Sequence, residues 1–275
     1  MAACDPADGL TDGVIDDPLG CDFDPRRLVG TKVGEDTFTA PPADGHDVPI
    51  AVSPTSDRLQ LLEPFEPVPL ERFNDLPVLV KAQGKFTTDH ISMAGPWLKY
   101  RGHLENISGN LYLGAVNAYD GYEVGYGKNQ LTGETQPFPD IAKAYHEAGQ
   151  PWIVIGDENM GEGSSREHAA MEPRFRFGLV AIARSFARIH ETNLKKQGMV
   201  PLTFADPADY DKIDEDDRIS VLDLPPVPGE SVTCRITKPD GSTVDFECNH
   251  TFSPEQVEWF RAGSALNIIR RKSAG

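Results

Sequence analysis

Apolar positions along the chain follow two periods. Short β-branched runs at Val78–Ala82, Trp152–Ile155, Leu179–Ala183 and Val200–Phe204 read as buried strands, each bounded by glycine, proline or a polar residue. Between them, 141–148 and 188–197 have helical spacing, with Gly149 and Gly198 at the positions that stop a helix. Alternation of strand and helix predicts an α/β or α+β fold. After Phe204 the pattern turns to strands, with 218–222, 231–236 and 243–247 arranged around the turn Lys238-Pro239-Asp240-Gly241-Ser242. A last helix is predicted from Ser253, which has Pro254 behind it and Gln256 three residues on, to Gly263.

Ahead of Val78 the pattern is weaker. Residues 1–50 hold ten Asp and one Glu against Arg26, Arg27 and Lys32, too polar and too rich in glycine and proline to bury a core alone. From 48 to 77 short apolar groups alternate with proline, the mark of an extended connector lying on another surface. The expected division is an acidic, proline-rich linker over 1–77 and a compact domain over 78–275.

The chemistry concentrates at Gly156-Asp157-Glu158-Asn159-Met160-Gly161-Glu162-Gly163-Ser164-Ser165-Arg166-Glu167-His168. This glycine-interrupted loop leaves a strand and enters helix-forming sequence that ends at Pro173. Ser164 with Glu167 fits a capping box, in which the hydroxyl satisfies an orphan amide at the helix start. Backbone N–H groups, the helix dipole and Arg166 would together attract a carboxylate or phosphate. Familiar motifs fail here: Glu162 stands where a P-loop needs lysine, Glu167 where a nucleophile elbow needs glycine, and Arg166 where a dinucleotide fingerprint needs glycine.

Composition narrows the partners. A formal charge of −17 over 275 residues argues against nucleic acid and anionic membranes, so an anionic ligand must be met by a few local arginines. No apolar stretch approaches the roughly 20 residues that cross a bilayer. Cys4, Cys21, Cys234 and Cys248 lack metal-ligand spacing; the last two flank the hairpin turn as expected buried thiols, which suits a reducing compartment.

Longer blocks carry a resemblance: Ser53 to Phe65, Thr87 to Ser92, Gly95 to His103, the serine-pair loop, Ser185 to Leu194, and His250 to Asn267. Over about 50–270 the chain resembles the C-terminal swivel domain of the mitochondrial-type aconitate hydratases, in the aconitase superfamily. That resemblance implies a swivelling β/β/α domain of α/β class with an extended N-terminal linker. It implies interconversion of citrate and isocitrate through cis-aconitate, with a 4Fe-4S cluster. By motif position, Ser164 resembles the catalytic base, Ser165, Arg166 and Arg101 resemble carboxylate ligands, and Asp89 a supporting acid.

The family's cluster cysteines have no counterpart here, so the expected partners are N-terminal cluster-binding aconitase domains as well as the tricarboxylates. The expected location is the cytoplasm of a bacterium or the mitochondrial matrix of a eukaryote. The alternatives are a small subunit of a related hydro-lyase such as isopropylmalate isomerase, or a non-catalytic binding module.

Overall fold

A computed structural model describes residues 4–9, 11, 20–29, 51–164 and 166–273. The chain divides into two compact units, Met1–Ala51 and Val52–Gly275. In the first, the 3-10 turns at Asp5–Asp8 and Pro25–Leu28 each have a proline within their first two residues, and Asp24 caps the second by accepting from the Arg26 N–H. A disulfide joins Cys4 and Cys21, whose Cα atoms are 5.1 Å apart, a departure from the free thiols of a reducing compartment. Most of the acidic stretch lies outside the described residues.

The second unit is built on strands and helices in this chain order: β1 (Leu76–Lys81), α1 (Thr88–Ile91), α2 (Leu104–Ile107), β2 (Tyr126–Lys128), β3 (Thr135–Pro137), α3 (Phe138–Glu147), β4 (Trp152–Gly156), α4 (His168–Phe175), β5 (Gly178–Ala183), α5 (Arg188–Lys196), β6 (Val200–Phe204), β7 (Arg218–Val221), β8 (Val232–Thr237), β9 (Thr243–Asn249), α6 (Pro254–Ala262) and α7 (Ala265–Ser273). Seven strands close into a barrel in the order β1-β4-β5-β6-β9-β8-β7. Pairing from β1 through β4 and β5 to β6 is parallel, and the remaining contacts are antiparallel. The fold is the mixed α/β class that the strand and helix alternation predicts.

Period-two alternation assigns the side chains. Ile153, Ile155, Val180, Ile182, Val200 and Leu202 belong to one core cluster with Ile219, Cys234, Ile236 and Phe246 of the antiparallel strands. Their neighbours Trp152, Val154, Ala181 and Ala183 belong to a second, shared with Ile141 and Tyr145 of α3, Ala169 and Ala170 of α4, and Leu194 of α5. The parallel strands are therefore buried on both faces, which is why they read as unbroken apolar runs.

From Val52 on, the connector is part of this unit. Gln60 N–H donates to the Gly102 carbonyl at 2.8 Å, and the Gln60 side-chain oxygen accepts from Glu105 N–H at 2.9 Å. Phe73, three residues ahead of β1, is fully buried in the first cluster.

Differences from the expected elements have local causes. α4 runs through Pro173 to Phe175 instead of stopping before it; burial of Ala169 and Ala170 offsets the missing backbone bond. α7 follows the left-handed Gly263 cap and went unseen because its Leu266 and Ile269 stay exposed. It is tied down instead by Asn267, whose amide donates to the Phe65 and Ala262 carbonyls, each at 2.8 Å. Cys234 and Cys248 are buried free thiols on β8 and β9, as expected.

Candidate active site

Three adjacent parallel strands, β1, β4 and β5, end at the same edge of the barrel, so the loops leaving them become neighbours. Ladder pairing continues past the strands. Lys85 bridges Glu158 and Met160 bridges Phe186, both in parallel. Phe86 N–H donates to Glu158 O at 3.1 Å, Gly161 N–H to Phe86 O at 2.6 Å, Thr88 N–H to Glu162 O at 2.8 Å, and Ala187 N–H to Met160 O at 2.9 Å. The serine loop is thus held in the middle, between the segment that carries Asp89 and the one that starts α5. Open α/β sheets place ligand sites at the carboxyl ends of such strands.

Backbone geometry explains the glycines. Gly161 has φ 83° and a Cβ there would lie 2.1 Å from His190 Cγ, so only glycine lets the loop lie against the imidazole. Gly163 has φ 115° and passes over Thr88 Oγ1.

The capping box is not formed. α4 begins at His168 with Glu167 at its N-cap and no side-chain cap. Gly163 swings the chain and Arg166 N–H closes a tight turn on Ser164 O at 2.8 Å, so the first helical turn forms beyond reach of the Ser164 hydroxyl. Ser164 is left exposed on the wall of a cavity. Ser165 lies outside the described residues.

That cavity measures about 230 Å³ and is lined by Thr88, Ser164, Arg166, Arg188, His190 and Asn193 among others. Arg166 is anchored: its Nη1 donates to Asp89 Oδ1 at 2.6 Å and to the Ser92 carbonyl at 2.9 Å. Its side chain is 16% exposed whereas that of Asp89 is 64% exposed. The guanidinium holds the Asp89 carboxyl below its usual range. Asp89 sits on α1, where His90 Nδ1 accepts from Thr87 N–H at 3.2 Å, so His90 serves the helix start.

Arg101 stands apart from the cavity lining. It follows the 3-10 turn Gly95–Tyr100, is exposed, and its Nε makes a long 3.4 Å bond to Leu98 O. Its carbonyl pairs with His168 Nε2 at 2.9 Å, which ties this turn to the first residue of α4. The structure thus gathers Ser164, Arg166 and Asp89, and brings Arg101 near through its backbone only.

The sequence of their own segment does not mark Arg188 and His190 as site residues; His190 reads there as a packing or surface histidine. Their one signal is topological: they follow the strand parallel and adjacent to β4, inside the Ser185 to Leu194 block. His190 is 2% exposed, neither ring nitrogen has a hydrogen-bond partner among the described residues, and burial lowers its pKa to about 4. It is a neutral imidazole beneath the loop.

A larger groove of about 670 Å³ runs along the connector. Its two arginines are already engaged: Arg72 donates to the Gly149 carbonyl, and Arg174 to Gln197 O at 3.1 Å and Glu66 O at 2.7 Å. An apolar groove with its cations occupied is a poorer match to an anionic substrate than the serine-loop cavity.

The family model described as aconitase C-terminal domain matches residues 76–207. The mitochondrial aconitate hydratase of Gracilaria gracilis is 57% identical over 248 residues, covering 90% of this chain and 32% of that protein. The Saccharomyces cerevisiae counterpart is 59% identical over 247 residues, covering 90% and 31%, and the probable mitochondrial aconitate hydratase of Caenorhabditis elegans is 56% identical over 254, covering 92% and 32%. The chain spans about a third of the length of these curated relatives. A solved 3-isopropylmalate dehydratase from Methanocaldococcus jannaschii overlays at TM-score 0.44 and 17% identity, covering 73% of this chain and 94% of that one, too loose a likeness to bear on function. Residues 76–207 belong to the aconitase C-terminal domain family, on a chain similar to mitochondrial aconitate hydratases along about 90% of its length.

Proposed function

We propose that this chain supplies one wall of an aconitate hydratase site, interconverting citrate and isocitrate through cis-aconitate. The observation that carries the reading is that Ser164 and Arg166 line one cavity, with Arg166 already oriented by Asp89. Ser164 Oγ, as alkoxide, takes the proton from the carbon next to a substrate carboxylate. The carbon–carbon double bond forms as the carbon–oxygen bond on the neighbouring carbon breaks, and the hydroxyl departs as hydroxide, which an acid on the other domains of the longer protein would protonate to water. In the reverse direction water would give one proton back to that acid, its hydroxide adds to the double bond, and Ser164 returns its proton to the carbon.

A serine serves as base only where its alkoxide is stabilised. The cations Arg166 and Arg188 share its cavity, and the partial exclusion of water strengthens their effect. Arg166 presents a planar fork to a carboxylate. Arg101, exposed and held by one long bond, is free to turn toward a second carboxylate, and Ser165 is assigned to the same grip.

A 4Fe-4S cluster, which the family implies, does not fit this chain. Among the described residues no group of three or more His, Cys, Asp or Glu could hold a metal, Cys4 and Cys21 are bonded to each other, and Cys234 and Cys248 are buried in the barrel. No step here is routed through it; the cluster is assigned to other domains of a longer protein, which makes this chain alone inactive. The relatives are mitochondrial by name, which supports the matrix as its location in a eukaryote. Among the described residues no helix is long and apolar enough to cross a membrane.

The test is the full-length protein with Ser164→Ala. Turnover of isocitrate should fall about a thousandfold or more while the cluster's visible absorption is retained. Near-normal turnover would remove Ser164 from the mechanism.

A further inference from the structure

Arg166 has a second support whose foundation lies in the core. Ser92 ends α1, its N–H donating to Thr88 O at 2.9 Å. Its carbonyl accepts from Arg166 Nη1 at 2.9 Å, and its hydroxyl donates to Glu172 Oε1 at 2.6 Å. Ser92 is 2% exposed and Glu172 is fully buried. Because Glu172 lies on α4, the helix that Arg166 leads into, these bonds close a ring from Arg166 to Ser92 to Glu172 and back along α4. Both acceptors of Arg166 Nη1, Asp89 and Ser92, belong to α1 and its cap, and the Ser92–Glu172 bond pins that segment to α4.

A carboxyl is an expensive way to fill such a position. Among the described residues no salt bridge reaches Glu172: the neighbouring Arg176 bonds Glu105 through Nη2 and Nη1 at 2.6 and 3.1 Å and acts on Glu172 through its charge alone. Glu172 Oε2 and the buried Tyr112 hydroxyl have no hydrogen-bond partner among the described residues. Burial pushes the Glu172 pKa well above its ordinary value, against the opposing pull of the Ser92 hydroxyl and the Arg176 charge. Leucine or methionine would pack there at less cost, but neither can accept the Ser92 hydroxyl.

We propose that Glu172 is a positioning residue: through the Ser92 hydroxyl it fixes the carbonyl that orients Arg166, and so sets the fork that grips a substrate carboxylate. This rests on the reading of Arg166 as a carboxylate ligand.

The experiment uses the full-length, cluster-containing enzyme with isocitrate as substrate. Ser92→Ala and Glu172→Leu should raise KM about tenfold with kcat within about twofold, the pattern of lost uniform binding. Glu172→Gln keeps an acceptor and should stay within about twofold of wild type in both constants. In an Arg166→Lys background, Ser92→Ala should add less than about a twofold change in KM, because the pair acts as one unit. If Glu172→Leu does not fold, Ser92→Ala, which removes one oxygen, carries the test alone. An unchanged KM in Ser92→Ala, or its full effect persisting in the Arg166→Lys background, overturns the proposal. An unchanged KM in Arg166→Lys alone sinks the carboxylate grip and this proposal with it, whereas an Arg166→Lys effect with a silent Ser92→Ala sinks only this proposal.

Discussion

The two halves of the barrel use the same seven-stranded closure for different ends. β1, β4 and β5 are buried along their whole length, and their loops leave the sheet at one edge and interlock. β7 and β8 alternate buried with half-exposed residues, and β9 is mostly exposed. β8 and β9 are joined by the tight Lys238–Ser242 turn. Parallel strands require crossovers, and the crossovers bring chemistry-bearing loops from distant sequence to one place; hairpins bring together only what is already close in the chain. That difference explains why Ser164, Arg166, Asp89, Arg188 and His190 all belong to the parallel half.

The comparison is broken hardest at a glycine. Gly161 and Gly241 have nearly the same backbone, φ 83° and 82°, but a Cβ at Gly161 meets His190 within 2.1 Å while one at Gly241 meets nothing within 4 Å. Gly161→Ala should cost about 3 kcal/mol or more in urea unfolding and disable the site. Gly241→Ala should cost about 1 kcal/mol and leave turnover intact. Equal costs would mean that the serine loop is not clamped.

Next comes acid. His190 has a folded pKa of about 4 against the ordinary 6.5, so the unfolded chain takes the proton first as pH falls. The stability it contributes is complete above about pH 6.5 and is lost between there and about pH 4, amounting to about 3 kcal/mol. Chemical unfolding of the intact protein at several pH values should show His190→Gln with a flatter slope in that window. Parallel slopes would refute a buried neutral His190.

The smallest effect is expected in the antiparallel half. Arg235 and Asp245 pair across β8 and β9 at 2.7 and 2.8 Å, but both are exposed. Arg235→Ala should leave turnover unchanged and melting almost unmoved. A large loss of activity would place chemistry in the wrong half.

Much of the fold was legible because its cues are local. The strands at 179–183 and 200–204 announce themselves by continuous apolar runs, the hairpin by Pro239-Asp240-Gly241, and α6 by Ser253, Pro254, Gln256 and Gly263. The serine loop was placed correctly at a strand–helix junction, whereas the capping assignment failed. Ser-x-x-Glu spacing says what a serine can reach if it is the cap, and Gly163 sends the cap three residues further on, to Glu167. His190 and Glu172 were illegible as site residues because nothing within one helical turn distinguishes a buried polar group from a surface one.

The sequence by itself determined the periodicities, the turn chemistry and the positive-φ glycines, since these depend on each residue's own backbone preferences and its near neighbours. Only the tertiary structure decided that Asp89 and Ser92 hold Arg166, that Arg188 and His190 share a cavity with Ser164, and that Glu172 stands behind them. Those pairings join segments tens of residues apart, and burial of both faces of the parallel strands is what fixes the segments side by side.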